Sequence, residues 1–208
     1  AAIGAQSVGG VLVPLNTRYK GSEAAYAINA SGARMLFTVE EFLGVRYADM
    51  LADQDLPQLQ HRVLLEGAAD GCQSWTDFLR GGDATSDEQV AAREAELSPD
   101  DPLDILFTSG TTGNPKGVVT CHGQNIRTFE TWSGTVGLRS DDNYLVINPF
   151  FHSFGYKAGW LAAIIRGARI LPVRNFDLDE VLACIERERI SMIPGPPTIY
   201  QSLLAHPE

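Results

Sequence analysis

The sequence predicts a layered α/β fold, a mostly parallel sheet with flanking helices, and three observations carry that expectation. Short β-branched or apolar runs alternate with segments of helical periodicity, the pattern that covers parallel strands with helices. Ser, Asp, Gly and Pro stand at the points where those segments start and stop. The 208 residues, 44% of them hydrophobic, suffice for a buried core in one sizeable domain or two small ones.

Taken in order, residues 1–8 read as the end of an apolar helix closed by Gly9-Gly10, and Val11 to Val13 as a short buried strand stopped by Pro14. Ser22 is placed to cap a helix over residues 23–30, with Ser31-Gly32 as its stop, and Met35 to Val39 follows as a strand. Residues 68–98 are Gly-, Asp- and Ala-rich, and are expected to form a loop-rich surface excursion with one short helix anchored by Trp75, Phe78 and Leu79. The expected organisation is therefore an α/β segment over 1–67, that excursion over 68–98, and a second α/β segment over 99–208. In the last, Leu103 to Phe107 and Tyr144 to Ile147 are strands, residues 155–166 a helix, and Arg169 to Leu171 a strand. Asp177 with Glu180 starts a helix whose Leu178, Val181, Leu182 and Ile185 share one face. Ser191 to Ile193 reads as a buried strand ending at Pro194, and Thr198 opens a final helix.

A formal net charge of −10 argues against nucleic acid, because neutralising phosphates takes clustered Lys and Arg. The longest membrane-like run, residues 159–165, is interrupted by Arg166, so no transmembrane segment is expected. Cys72, Cys121 and Cys184 lie far apart with no zinc spacing, as expected of reduced thiols in a cytoplasmic protein. No secretory signal heads the chain, and Ala1 opens within a helical pattern without a Met, so a fragment is expected.

Residues 105–119 hold the most informative stretch: an apolar strand delivers Thr108-Ser109-Gly110-Thr111-Thr112-Gly113 and then Asn114-Pro115-Lys116-Gly117. Gly110 and Gly113 let backbone N–H groups approach phosphate oxygens, and Thr108, Ser109, Thr111 and Thr112 add hydroxyls. Lys116 supplies positive charge. The loop departs from the Gly-x-x-x-x-Gly-Lys-Ser/Thr phosphate loop, with Pro115 where the second glycine would be and Gly117 after the lysine. β-Branched Val118 and Val119 then predict a strand, so no helix dipole is aimed at the anion. The plain alternative is a Gly/Ser/Thr hairpin turn.

Residues 148–159 form a second constellation, directly after a predicted strand. Phe151, Phe154 and Tyr156 with His152, Ser153, Gly155 and Lys157 would make an apolar wall carrying one imidazole at a strand's C-terminal end. His152, taken alone, reads first as a satisfied core or loop residue, and Lys157 as a helix residue reaching to solvent. Gly195-Pro196 is a rigid turn suited to a pocket wall or to a plain loop. Asn16-Thr17-Arg18 carries turn chemistry only.

Residues 108–117 resemble the signature loop of the adenylate-forming superfamily, which comprises acyl-CoA synthetases, peptide-synthetase adenylation domains and luciferases. Pro149-Phe-Phe-His152 with Phe154-Gly155 resembles that superfamily's second signature. Residues 151–159 and 194–201 look most like acyl-CoA synthetases, closest to actinobacterial ones of steroid-ring degradation. The resemblance implies an incomplete part of a large N-terminal domain, acting on ATP, coenzyme A and a bulky alicyclic, aryl or fatty acid. It implies Lys116 and His152 as catalytic groups, 108–113 as the nucleotide cradle, and Mg2+ held through Thr111 or Thr112. The superfamily's Tyr-Gly-x-Thr-Glu motif and mobile C-terminal domain are absent from these 208 residues, so the chain alone is expected to bind nucleotide phosphate at most. An amino-acid adenylation domain and a non-catalytic nucleotide-binding module are the alternatives. No Asp between Asn148 and Ile165 is available to hold an amino group. Unpaired sheet edges are expected to favour self-association, including as a homo-oligomer.

Overall fold

The computed structural model describes residues 1–108 and 114–207. They fall into two compact units, Ala1–His122 and Gly123–Glu208. Ser109, Gly110, Thr111, Thr112 and Gly113, expected to cradle the nucleotide, lie outside the described residues.

In the first unit α1 (Ala2–Ser7) leads to α2 (Gly21–Ser31). Ser22 does not cap α2. The Glu23 carboxylate reaches back to the Lys20 N–H at 2.8 Å, so the helix starts two residues earlier, and Gly32 closes it at a φ of 66°. The strand β1 (Met35–Thr38) follows, then the short hairpin β2 (Glu41–Phe42) and β3 (Val45–Arg46), then α3 (Tyr47–Met50). β4 (His61–Leu64) runs parallel to β1, with Met35 opposite His61 and Thr38 opposite Leu64. Ala24, Ala25 and Ile28 of α2 form a core with Leu51 and Leu56.

Residues 68–98 hold more order than their composition suggests. β5 (Gln73–Ser74) adds a third parallel strand to that sheet, and two helices follow, α4 (Trp75–Arg80) and α5 (Asp87–Ala95), where one was expected. The signals were local caps: the Ser74 hydroxyl accepts the Asp77 N–H at 3.1 Å, and the Ser86 hydroxyl accepts that of Gln89 at 3.3 Å. Trp75 and Phe78 stack together and both rings meet Phe37 edge-on. β6 (Pro102–Phe107) then pairs antiparallel with β7 (Gly117–Cys121).

The expected strand at Val11–Val13 is reduced to one parallel bridge, Leu12 to Asp104, because Pro14 ends the ladder after three residues.

The helix α6 (His122–Thr135) carries the chain into the second unit. β8 (Asn143–Val146) is buried at Tyr144, Leu145 and Val146. Residues 154–166 are not one α-helix: a π-helix (Phe154–Leu161) precedes α7 (Ala162–Arg166). Eight residues of apolar periodicity do not separate i+4 from i+5 bonding, so sequence could not reveal it. β9 (Arg169–Pro172) lies parallel to β8. α8 (Leu178–Arg187) is capped by the Asp177 carboxylate, which accepts the Glu180 N–H at 3.0 Å, and α9 (Pro197–Leu204) starts on proline. Leu138, Tyr144, Val146, Ala162 and Ala163 form this unit's core.

The expected strand at 191–193 is also one bridge, Met192 to Tyr144, cut short by Pro194. Backbone bonds from the Leu145 N–H to the Met192 carbonyl at 2.9 Å and from the Ser191 N–H to the Asn143 carbonyl at 3.1 Å are reinforced by side chains: the Ser191 hydroxyl donates to the Asp142 carboxylate at 2.7 Å and accepts the Asn143 N–H at 3.0 Å. The Ser191 hydroxyl, with the Arg139 N–H and guanidinium, holds the Asp142 carboxyl below its ordinary range, against the opposing effect of burial. A carboxylate so depressed stabilises the fold above the ordinary Asp range, and that contribution is lost as pH falls through the depressed value. Ser191→Ala is therefore expected to lower stability by about 1 kcal/mol at pH 7. The gap to wild type should narrow below about pH 4, in urea unfolding followed against pH.

Strands of the described residues make four small sheets, parallel in β1-β4-β5 and β8-β9, antiparallel in the two hairpins. No helix among the described residues is long and apolar enough to cross a membrane.

Candidate active site

Both expected signatures sit where a strand ends. In the first unit β6 and β7 form the two arms of a hairpin, with Ile105 opposite Val119 and Phe107 opposite Gly117. The Thr108 N–H donates to the Lys116 carbonyl at 3.0 Å, and the Thr108 hydroxyl lies 3.4 Å from the same oxygen. That pairing closes the mouth of the loop at the residue before 109–113. Gly117 is required for the approach: a Cβ there would lie 2.8 Å from the Ile105 side chain. Below the mouth, fully buried Asp104 accepts the Thr120 hydroxyl at 2.6 Å, tying the arms together. Lys116 and Thr108 are exposed, and a strand follows the loop as expected, unlike the helix of a Walker-type site.

In the second unit β8 ends at the aromatic segment. The Asn148 amide donates to the Pro194 carbonyl at 3.1 Å, which joins residues 148–159 to the turn bearing Gly195 and Pro196. Gly195 is half-buried against Ile199, and Pro196 is exposed. His152 is exposed, and its Nδ1 accepts the Phe154 N–H at 3.2 Å. An N–H can meet only a lone pair, so that bond assigns the neutral ring's proton to Nε2, which becomes a donor. Ser153 is exposed and Phe151 half-buried, while half-buried Phe154 meets the Trp132 ring edge-on at 6.5 Å.

The π-helix turns the rest of the motif inward. Gly155, Tyr156 and Lys157 are buried; Tyr156 stacks on Trp160 with ring centres 4.7 Å apart, and the Lys157 ammonium lies 5.8 Å from the Tyr156 ring. Lys157, at 5% exposure, is therefore not a solvent-reaching helix residue. Tyr144, fully buried, donates its hydroxyl to the Ala158 carbonyl at 2.6 Å, bracing the π-helix against β8. Burial, together with nearby Tyr200, raises the Tyr144 phenol well above its ordinary range, so it stays a donor.

Lys116 belongs to the first unit and His152 to the second. Three supporting residues escaped sequence reasoning: Tyr144, Trp132 and Tyr26, whose hydroxyl donates to the Pro115 carbonyl at 3.1 Å. No spacing rule links them to the motifs they touch.

Comparison with known proteins gives a consistent result. The chain is 47% identical over 207 residues to a protein of Mycobacterium tuberculosis named 3-[(3aS,4S,7aS)-7a-methyl-1,5-dioxo-octahydro-1H-inden-4-yl]propanoyl:CoA ligase, covering 100% of this chain and 40% of that protein. It is 42% identical to the protein of the same name from Rhodococcus jostii, covering 100% of this chain and 42% of the relative. The chain thus spans about 40% of the length of these curated relatives. Among solved structures, the anthranilate CoA ligase AuaEII in complex with anthranoyl-AMP superposes with a TM-score of 0.80 at 28% identity, over 96% of this chain and 38% of that one. ATP-bound MatB from Rhodopseudomonas palustris shares the fold, with a TM-score of 0.72 at 22% identity over 96% of this chain and 37% of its own. The family described as AMP-binding enzyme matches residues 1–208, and the chain belongs to it.

Proposed function

We propose that the chain is the phosphate-loop and acyl-pocket portion of an ATP-dependent acyl-CoA synthetase. The observation that carries this reading is the 47% identity, running the length of the chain, to a protein named as a CoA ligase. In the proposed reaction a carboxylate oxygen attacks the α-phosphorus of ATP, the bond to the pyrophosphate oxygen breaks, and pyrophosphate leaves with the electron pair. The thiolate of coenzyme A then attacks the carbonyl carbon of the acyl-AMP and expels AMP.

Two anions must meet in the first step, so positioning and charge neutralisation dominate the barrier. Lys116, exposed at the hairpin mouth, is suited to neutralise the β- and γ-phosphates as pyrophosphate departs. His152 Nε2–H is suited to donate to a phosphate or carboxylate oxygen, since its Nδ1 is already occupied. Hydroxyls are hard oxygen ligands, so Thr111 and Thr112 suit Mg2+, which when bound would draw charge from the phosphates. The aromatic segment of half-buried Phe154 and Trp160 around buried Tyr156 favours a bulky apolar acid, and the relatives' names point to an alicyclic propanoate. The cytoplasm, where reduced thiols and nucleotide are available, is the proposed location.

The test is CoA-thioester formation by the full-length protein carrying this chain, with indane-propanoate, aryl and fatty acids compared. The alicyclic propanoate is expected to lead by at least about tenfold in kcat/KM, a margin of about 1.4 kcal/mol. No thioester and no AMP from any class would end the proposal. His152→Ala is expected to lower kcat roughly ten- to a hundredfold through loss of a bond to a charged oxygen. Partial recovery in His152→Gln, which restores a donor near the Nε2 position, would separate that role from packing.

A further inference from the structure

We propose that Tyr26 is a positioning residue for Lys116, acting on the lysine's backbone from a separate helix. The proposal rests on the reading of Lys116 as a phosphate ligand.

The direction of a side chain is set by its Cα–Cβ bond, and that bond is fixed once the peptide planes on both sides of Cα are held. Both planes at Lys116 are held here. The Lys116–Gly117 peptide is pinned through its carbonyl, which accepts the Thr108 N–H at 3.0 Å. The Pro115–Lys116 peptide is pinned through its own carbonyl, which accepts the Tyr26 hydroxyl at 3.1 Å. Pro115 has no N–H, so this carbonyl is the hydrogen-bonding handle that its residue offers. Planarity carries the restraint straight to the nitrogen of Lys116.

Tyr26 also touches the incoming arm. Its ring meets Phe107, the last residue of β6, edge-on, with centroids 6.3 Å apart and planes at 75°. One side chain thus contacts both the end of β6, at Phe107, and the segment that leads into β7, at Pro115. The platform is firm: α2 buries Ala24, Ala25, Ala27 and Ile28, and is fixed at its start by Glu23 and at its end by Gly32. A lysine on a four-carbon stem gains most from such preorganisation, since each held backbone plane removes directions in which the ammonium would otherwise stray.

The test uses the full-length protein carrying this chain and reads ATP dissociation constants alongside steady-state rates. Tyr26→Phe keeps the ring and removes the hydroxyl. It is expected to weaken ATP binding and raise the KM for ATP roughly three- to tenfold, the range of one net hydrogen bond. The KM values for the acid and for coenzyme A are expected to stay at wild-type values, and the thermal midpoint to fall by no more than about 4 °C, the effect of one net hydrogen bond. In a Lys116→Ala background Tyr26→Phe is expected to change ATP binding less than twofold, because the group it positions is gone. An unchanged ATP constant in Tyr26→Phe would overturn the proposal, as would an equal loss in both backgrounds or a parallel rise of all three KM values with a larger fall in the midpoint. Wild-type protein that binds ATP but forms no thioester would sink the synthetase reading alone, with the binding cycle still deciding on Tyr26. Wild-type protein that does not bind ATP would sink both.

Discussion

Lys116→Ala is expected to reduce acyl-adenylate formation by roughly a hundred- to a thousandfold, measured as ATP–pyrophosphate exchange in the full-length protein. The size follows from the electrostatics. A chain with a formal net charge of −10 presents an unfavourable field to a triphosphate, so local positive charge at the loop carries unusual weight. Lys116 stands exposed where both arms of the hairpin converge, free of the core that would bury its charge. Lys116→Arg keeps the charge but exchanges a compact ammonium for a planar fork, so partial activity is expected there. Exchange that survives in Lys116→Ala at the wild-type rate would mean that the loop does not use this charge.

Gly155→Ala is expected to destabilise the second unit by about 3 kcal/mol, read from the urea midpoint. The first turn of the π-helix packs so closely on the segment that follows β8 that an added Cβ would fall inside the contact distance of the Asn148 and Pro149 carbonyl oxygens. Both obstacles are backbone, so neither can swing aside. The same turn sets the position of His152, whose carbonyl accepts the Tyr156 N–H at 2.9 Å, so the KM for the acid is expected to rise as well. Gly4→Ala is the control: a Cβ at that helical glycine meets nothing within 4 Å. It is expected to be neutral or stabilising by up to about 1 kcal/mol. Equal midpoints for Gly155→Ala and wild type would show that the segment from Asn148 yields more readily than its geometry implies.

Much of the fold was legible in short stretches of sequence. The caps at Asp177 and Gly32, the alternating strands and helices, and the hairpin arms on either side of residues 109–113 follow from interactions spanning a few residues. The Ser74 and Ser86 caps were equally local and were masked by the Gly- and Ala-rich composition around them. Val11–Val13 and Ser191–Ile193 show the limit of apolar runs: each has strand-like residues, yet the adjoining proline leaves only a single bridge. The two motifs also stood out in the sequence, the first by glycine, hydroxyl and lysine at fixed spacing and the second by aromatic residues around His152; phosphate contact is the use proposed for the first.

What sequence alone determined, then, is the family to which the chain belongs and the order of elements, since periodicity, capping and motif spacing are written within about ten residues of one another. Tertiary structure alone decided how those motifs are held. Tyr26 meets Pro115 across 89 residues and Asn148 meets Pro194 across 46, and Tyr144 finds the Ala158 carbonyl only after the strand and π-helix have packed. Such pairings depend on which surfaces are brought together when the core is buried, and one-dimensional spacing carries no record of that choice.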